Sequence, residues 1–274
     1  MTKLDCVVIS TATSTEKIQQ NIDASRNLPL HFAHQLPEWR EGRTVAVVGG
    51  GPSLKQTIHK LKEYDTIIAC GSVHDYLVKN GIRPNYCVVV DPDPLVITYL
   101  QNIYHVDNKC KYLIASQCDP AVFEHLRYDN VYMWHAGGND SLFKEGDYVV
   151  GGGCTVGTRA IVLAMNFGYY DIHLFGFDTC LDETDEHHAY KFQNEEIETI
   201  GDVMEIALDH ASGKKFKVAG YMLGQLFDLK TILATSASKL KLTVHGGGLI
   251  AHLLEIAAKR QEELKNVNSS KPDG

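Results

Sequence analysis

Thr44-Val45-Ala46-Val47-Val48-Gly49-Gly50-Gly51-Pro52-Ser53-Leu54 decides how this chain is read. Its first five residues are apolar or β-branched, without polar alternation. Such a run, closed by glycines, predicts a central parallel strand buried on both faces. Three glycines let the backbone turn sharply and approach a ligand with no Cβ in the way. Pro52 suits a first helical turn, where its missing N–H leaves no bond unmade. Ser53 offers a capping hydroxyl. The stretch therefore reads as a βα turn at which free N–H groups and the positive end of a helix bind phosphate. The plainer alternative is a tight turn without a ligand. The spacing matches neither the G-x-G-x-x-G fingerprint nor a P-loop with its lysine, which disfavours NAD and P-loop kinase chemistry.

Outward from this turn the pattern repeats. Strands are predicted at 66–70, 86–90, 111–115, 130–134, 171–178 and 242–245, with helices between them. The helices are expected at 55–64, 73–80, 95–103, 120–126, 159–167, 221–240 and 249–265. Residues 202–209 and 214–220 alternate around Ser212-Gly213 and predict a β-hairpin. Residues 5–10 form a short candidate strand, 136–150 a loop. The expected fold is a Rossmann-like α/β three-layer sandwich with a mostly parallel sheet and a small hairpin addition. Its predicted organisation is an appendage over 1–43, one domain over 44–265 and a disordered polar tail over 266–274.

Composition narrows the function. The chain has 274 residues, 44% hydrophobic and 22% charged, with a formal net charge of −8. No basic stripe is present, so nucleic acid is not an expected partner. No apolar run reaches transmembrane length and no signal peptide is visible, so a cytoplasmic, membrane-free protein is expected. The seven cysteines are an odd number without a C-x-x-C pair, which reads as reduced, mostly buried thiols. A homo-oligomer stays open.

Ligands of parallel sheets bind beyond the carboxyl ends of the strands. Polar or glycine-rich features fall at those predicted ends: 49–53, Gly71-Ser72, Asp91 to Asp93, Asp178 and 246–248. The cluster Gly151-Gly152-Gly153-Cys154-Thr155 opens a further helix and can join them. Candidate nucleotide contacts are Gly49, Gly50, Gly51, Pro52, Ser53, Gly71, Ser72, Gly152, Gly153 and Thr155. Asp91 and Asp93, two carboxylates bracketing a proline, are candidate Mg²⁺ ligands, since Mg²⁺ takes one or two carboxylates plus substrate phosphates. The alternative is helix capping. Asp178, ending a buried strand, and His188, in His187-His188-Ala189-Tyr190, are the candidate catalytic acid and base. Arg159 is a candidate anion contact. Glycines 49–51, 151–153 and 246–248 are expected on one sheet edge, around one anion, with Gly50 facing the ligand.

Gly49-Gly50-Gly51-Pro52-Ser53-Leu54, Gly81-Ile82-Arg83-Pro84-Asn85, Val90-Asp91-Pro92-Asp93, Gly151-Gly152-Gly153 and Gly176-Phe177-Asp178 together resemble the 6-hydroxymethylpterin diphosphokinase-like family, over about residues 44–190. The resemblance implies Mg²⁺-dependent transfer of diphosphate from ATP to a pterin alcohol, with the metal on Asp91 and Asp93. The chain departs from that pattern in having Asp-Pro-Asp-Pro at 91–94. His188-Ala189 is more similar to the bacterial motility accessory factors, and the Gly-Gly-Pro-Ser-Leu turn to small bacterial sialyltransferases. Those resemblances imply a CMP-activated sugar as donor, a glycan or small-molecule acceptor, and no metal. A nucleotide-binding module without catalysis is the third alternative.

Overall fold

A computed structural model describes residues 13–36, 43–103, 109–128, 130–138, 142–191, 202–207, 213–236 and 239–269. The first strand of the core, β2 (Thr44–Val48), follows α1 (Thr15–Arg26) and a two-residue strand, β1 (His31–Phe32). Then come α2 (Leu54–Thr57), β3 (Ile67–Cys70), α3 (Val73–Lys79), β4 (Tyr86–Val89), β5 (Lys111–Ala115), α4 (Pro120–His125), β6 (Val131–Ala136) and β7 (Val149–Val150). The chain continues through α5 (Val156–Asn166), β8 (Asp171–Phe175), β9 (Val203–Ala207), β10 (Lys215–Ala219), α6 (Gly220–Ser236), β11 (Lys241–His245) and α7 (Gly248–Ser269).

The central sheet runs β1-β6-β5-β4-β3-β2-β8-β11, with β7 also on β6. Every pairing in it is parallel. β9 and β10 form the separate antiparallel hairpin. Strand β2 shows why an unalternating apolar sequence was needed. Val45 and Val47 join the cluster that contains Ile161 and Ala164 of α5. Ala46 and Val48, on the opposite face, pack with Leu54, Val73 and Leu77. After β2 the chain steps outward through β3 to β6, and α5 then returns it so that β8 lies on the other side of β2. The strand order reverses between β2 and β8, and a ligand crevice belongs at that point.

Several boundaries differ from the sequence expectation. His31 and Phe32 pair with Tyr132 and Met133, and the buried Asn21 donates to the carbonyls of Pro92 and Gln117. Residues 13–36 thus pair with and pack on the α/β body. The predicted loop 136–150 contains β7. Residues 94–99 form a 3-10 helix instead of an α-helix over 95–103, and 58–63 do the same after α2. Helix α7 continues through 266–269, into the expected tail. The strand expected at 5–10 lies outside the described residues. Cys70, Cys87, Cys110, Cys118 and Cys180 are free and buried; Cys154 is free and exposed.

Candidate functional site

A cleft of about 660 Å³, counted to its open mouth, lies at the carboxyl ends of β2 and β8. Gly49, Gly50, Gly51, Ser72, Thr155, Asp178 and His188 all line it, with Phe177, His187 and the start of α5. Pro52, Ser53, Gly71, Gly152, Gly153, Asp91 and Asp93 do not line it.

The two turns at the switch point are locked to each other. Gly49 N–H donates to the Phe175 carbonyl at 2.8 Å, and Gly51 N–H to the Gly176 carbonyl at 2.9 Å. Ser53 gives both its N–H, at 3.1 Å, and its hydroxyl, at 3.0 Å, to Asp178 Oδ2. The amides of Gly49, Gly51 and Ser53, expected to cradle phosphate, are therefore committed to protein acceptors. The anion at the start of α2 is the Asp178 carboxylate itself, 6% exposed. Burial pushes the Asp178 carboxyl up from its ordinary range, against the two bonds from Ser53. Asp178 acts first as a clamp between β8 and the β2 turn.

The third glycine cluster closes the same knot. Leu249 N–H donates to the Asp178 carbonyl at 2.7 Å. A Cβ at Gly246 would come within 2.3 Å of Ser53 Oγ, and one at Gly248 within 2.6 Å of the Asp178 backbone. All three glycine clusters follow strands of one parallel sheet and share its carboxyl edge, as expected. Gly49, Gly51 and Gly248 sit where a Cβ would meet the backbone of the facing loop, and Gly246 where one would meet the Ser53 side chain. In the second cluster Gly153 abuts the Asp228 carboxylate, which accepts from Cys154 N–H at 2.7 Å.

That second cluster leads into a helix start that lines the cleft. Thr155 caps α5, accepting from Thr158 N–H, and Thr155, Val156 and Gly157 line the cleft. The first turn of an α-helix has no intrahelical acceptor for its N–H groups, and the helix dipole is positive there. Gln225 of α6 stands beside it. Its Oε1 accepts from the Thr179 hydroxyl at 2.9 Å, and its Nε2 lies 3.1 Å from where a Gly157 Cβ would be. Arg159, a candidate anion contact by sequence, points elsewhere. Its guanidinium donates to the Val150 and Gly137 carbonyls, each at 2.6 Å, and holds β6 and β7 at their ends.

His188 sits over the first turn. A carbonyl only accepts, so the 3.3 Å contact of Nδ1 with the Gly50 oxygen puts the proton on Nδ1 and the lone pair on Nε2. The ring stacks on Tyr190 at 5.3 Å between centroids and 5° between planes. Tyr190 Oη is 2.6 Å from Ser72 Oγ. A methyl at Gly50 would fall 2.6 Å from Tyr190 Oη and 2.8 Å from His188 Nδ1. A side chain at Gly50 would thus meet these rings, and Gly50→Ala would displace the histidine.

Burial first, then His187, pushes the His188 imidazole down to about 4, with the Gly50 carbonyl opposing. An unfolded histidine takes its proton near pH 6.5. Between these values the unfolded chain binds the extra proton, so stability rises with pH and is lost as pH falls from 6.5 to 4. For a part-buried ring the loss attributable to His188 is about 1–3 kcal/mol. Urea unfolding of wild type and His188→Asn at pH 7.5, 5.5 and 4.5 measures it. The wild type should lose more stability over that range; equal losses would show that the ring is not desolvated.

Asp91 and Asp93 end β4 on the same sheet edge but outside the cleft lining. Asp91 Oδ1 accepts from Asp93 N–H at 3.0 Å, and Asp93 Oδ1 caps the following turn through Leu95 N–H at 2.9 Å. Burial pushes the Asp91 carboxyl up. Each carboxylate closes its own turn, and among the described residues no three His, Cys, Asp or Glu converge as metal ligands. The pair alone does not fit as a metal centre; substrate phosphates would have to supply most of the coordination.

Phe177, Tyr190, Tyr221, Met222 and Gln225 were not legible as site residues. Three of them lie on α6, whose sequence reads as an apolar helix. The interruption of that apolar run by Gln225 was the one available signal.

A cleft at the switch point of a doubly wound parallel sheet, walled by a helix start and a histidine, defines a Rossmann-like α/β protein with a candidate ligand site. The sequence model of the 6-hydroxymethylpterin diphosphokinase MptE-like family matches residues 14–184, more than half of the chain, and the chain belongs to that family. Among solved structures it is similar to the MAf glycosyltransferase from Magnetospirillum magneticum AMB-1, with a TM-score of 0.65 and 18% identity. That alignment covers 88% of this chain and 38% of the glycosyltransferase, so the chain spans well under half of that protein. No curated protein matches the sequence. Among the described residues no helix is long and apolar enough to cross a membrane.

Proposed function

We propose that the chain is a transferase whose donor is a nucleoside monophosphate sugar of the CMP type, working without a metal. One observation carries this choice over Mg²⁺-ATP: among the described residues no lysine or arginine lines the cleft, and Asp91 and Asp93 stand outside it. A triphosphate would bring about four negative charges into a site offering a helix start, an amide and two histidines. Neutralising that charge is the main task of phosphoryl-transfer sites. A phosphodiester donor brings a single charge to its phosphate, which suits the first turn of α5. The neighbour's description as a MAf glycosyltransferase accords with transfer of a sugar.

In this scheme the phosphate rests against Val156 and Gly157 N–H with Gln225 Nε2 beside it. Phe177, Tyr221 and Met222 supply apolar walls that hold the donor and exclude water. His188 Nε2 accepts the proton of the acceptor hydroxyl as the bond to the sugar's anomeric carbon forms and the nucleoside monophosphate departs. At pH 7 the imidazole is neutral and so in the accepting form. An anionic donor beside it raises its basicity toward the working range.

Calorimetry with CMP in EDTA, and with ATP in EDTA or Mg²⁺, tests the donor. CMP binding that persists in EDTA is the expected result. If cytidine nucleotides do not bind while Mg²⁺-ATP does, and Asp91→Asn with Asp93→Asn abolishes that binding, the diphosphokinase reading replaces this one. That second reading has the family's name and the shared sheet edge of the two aspartates behind it.

A further inference from the structure

On the face of the sheet that carries Ala46 and Val48, away from the cleft, three nitrogen and oxygen donors meet on separate segments. His173 Nδ1 and His245 Nε2 are 2.8 Å apart. Tyr64 Oη lies 2.7 Å from the first and 3.2 Å from the second. Parallel pairing of β8 with β11 sets Phe175 opposite His245, which brings the two histidines into reach. Tyr64 arrives from the segment after α2. All three side chains are only partly buried, so an ion can reach them.

We propose that His173, His245 and Tyr64 form a binding site for a divalent transition-metal ion of the Zn²⁺ class. Metal–nitrogen bonds of about 2.05 Å place neighbouring ligands about 2.9 Å apart at right angles and about 3.3 Å apart in a tetrahedron. The three observed separations need shifts of only a few tenths of an ångström to meet either geometry. The rings are already oriented. Phe175 stacks under His245 at 4.3 Å and 7°, and meets Tyr64 edge-on at 5.4 Å. Asp171 Oδ1 faces His173 Nε2 at 3.3 Å. A carboxylate there keeps the proton on Nε2 and the lone pair on Nδ1, the arrangement that supports metal-ligating histidines. Asp171 Oδ1 is buried and has no well-aligned hydrogen bond of its own, which leaves it available for that role. Two imidazoles and a phenol favour Zn²⁺, Ni²⁺ or Cu²⁺ over Mg²⁺ or Ca²⁺. Binding expels the proton shared among the three donors to solvent, and water completes the coordination. The metal would tie the chain after α2 to β8 and β11, a role separate from donor chemistry in the cleft.

Cobalt as the probe gives a direct readout. The untagged full chain is titrated with Co²⁺ at pH 7.5, followed by visible absorption, and Zn²⁺ is then added as competitor. One Co²⁺ per chain, displaced by Zn²⁺, is expected. His173→Gln with His245→Gln should remove that signal while circular dichroism without metal shows the fold retained. Asp171→Asn should keep the stoichiometry and weaken affinity roughly tenfold or more. Should the histidine pair variant not fold, Tyr64→Phe, which alters a single donor, must change the cobalt spectrum. Absence of Co²⁺ binding to the wild type, or an unchanged spectrum and affinity in the histidine pair or Tyr64→Phe variants, overturns the proposal.

Discussion

Gly176→Ala is expected to be the most damaging single methyl in the molecule. Gly176 has a φ of +62°, a conformation costing an alanine about 1–2 kcal/mol. Its Cβ would also lie 2.4 Å from the Gly49 carbonyl oxygen and 3.1 Å from Gly51 N, both backbone atoms of the facing turn. Backbone cannot rotate away as a side chain can, so the overpacking adds about 1–3 kcal/mol. The sum, about 2–5 kcal/mol, corresponds to a melting temperature lowered by roughly 5–15 °C in a domain of this size. Gly151→Ala is the matched control. Its φ is not positive and no atom stands within 4 Å of its Cβ, so its stability should stay within about 0.5 kcal/mol of wild type. Differential scanning calorimetry of both variants checks the contrast. Similar melting temperatures would mean that the turns after β2 and β8 are not interlocked.

Asp178→Ala comes next. It removes a buried acceptor from two donors of Ser53, and the Ser53 N–H has no other partner at hand. Hydrogen bonds to a charged group contribute about 1.5–3 kcal/mol, and a buried donor left unmade costs a further 1–3. A loss of about 3 kcal/mol is expected from urea denaturation. Asp178→Asn, which keeps one oxygen on Ser53, should lose clearly less. The outcome separates two roles. If Asp178→Ala is as stable as wild type but no longer turns over, the residue is the ligand-facing acid that its position at a strand end suggests. If stability falls first, it is the clamp described above.

The interior of the sheet was legible because strands buried on both faces announce themselves with runs such as Ile67-Ile68-Ala69-Cys70 and Tyr86-Cys87-Val88-Val89. Strands β1 and β7 were not, since two residues carry no periodicity; both exist by virtue of a partner, β6. In the cleft, the glycine turns and the pair His187-His188 stood out by composition. What they do there did not. Whether the amides of Gly49 and Gly51 face a phosphate or the carbonyls of Phe175 and Gly176 depends on a segment about 125 residues further on. The same distance hid the bond between Ser53 and Asp178. The two helix starts also differ for a local reason. α2 is a single turn, whereas the helix begun by Thr155 runs for 11 residues and carries a full dipole.

The interlock of turns 49–53, 176–178 and 246–249 has a consequence for the order in which the chain matures on the ribosome. β2 leaves early but can bond on its second edge only once β8 has emerged, and the Ser53 clamp waits with it. At roughly 5–20 residues per second that delay is on the order of 10 s. During it β2, β3 and β4 can pair and cover their faces, with one long apolar edge of β2 open. Pairings so distant in sequence are the slow kind. A chain stopped at residue 184 would keep β8 but lack Leu249, and with it the bond that seats Asp178. The cleft is thus completed late in synthesis, and nascent chains that have not yet reached Leu249 should be preferred clients of whatever protects exposed strand edges in the cell.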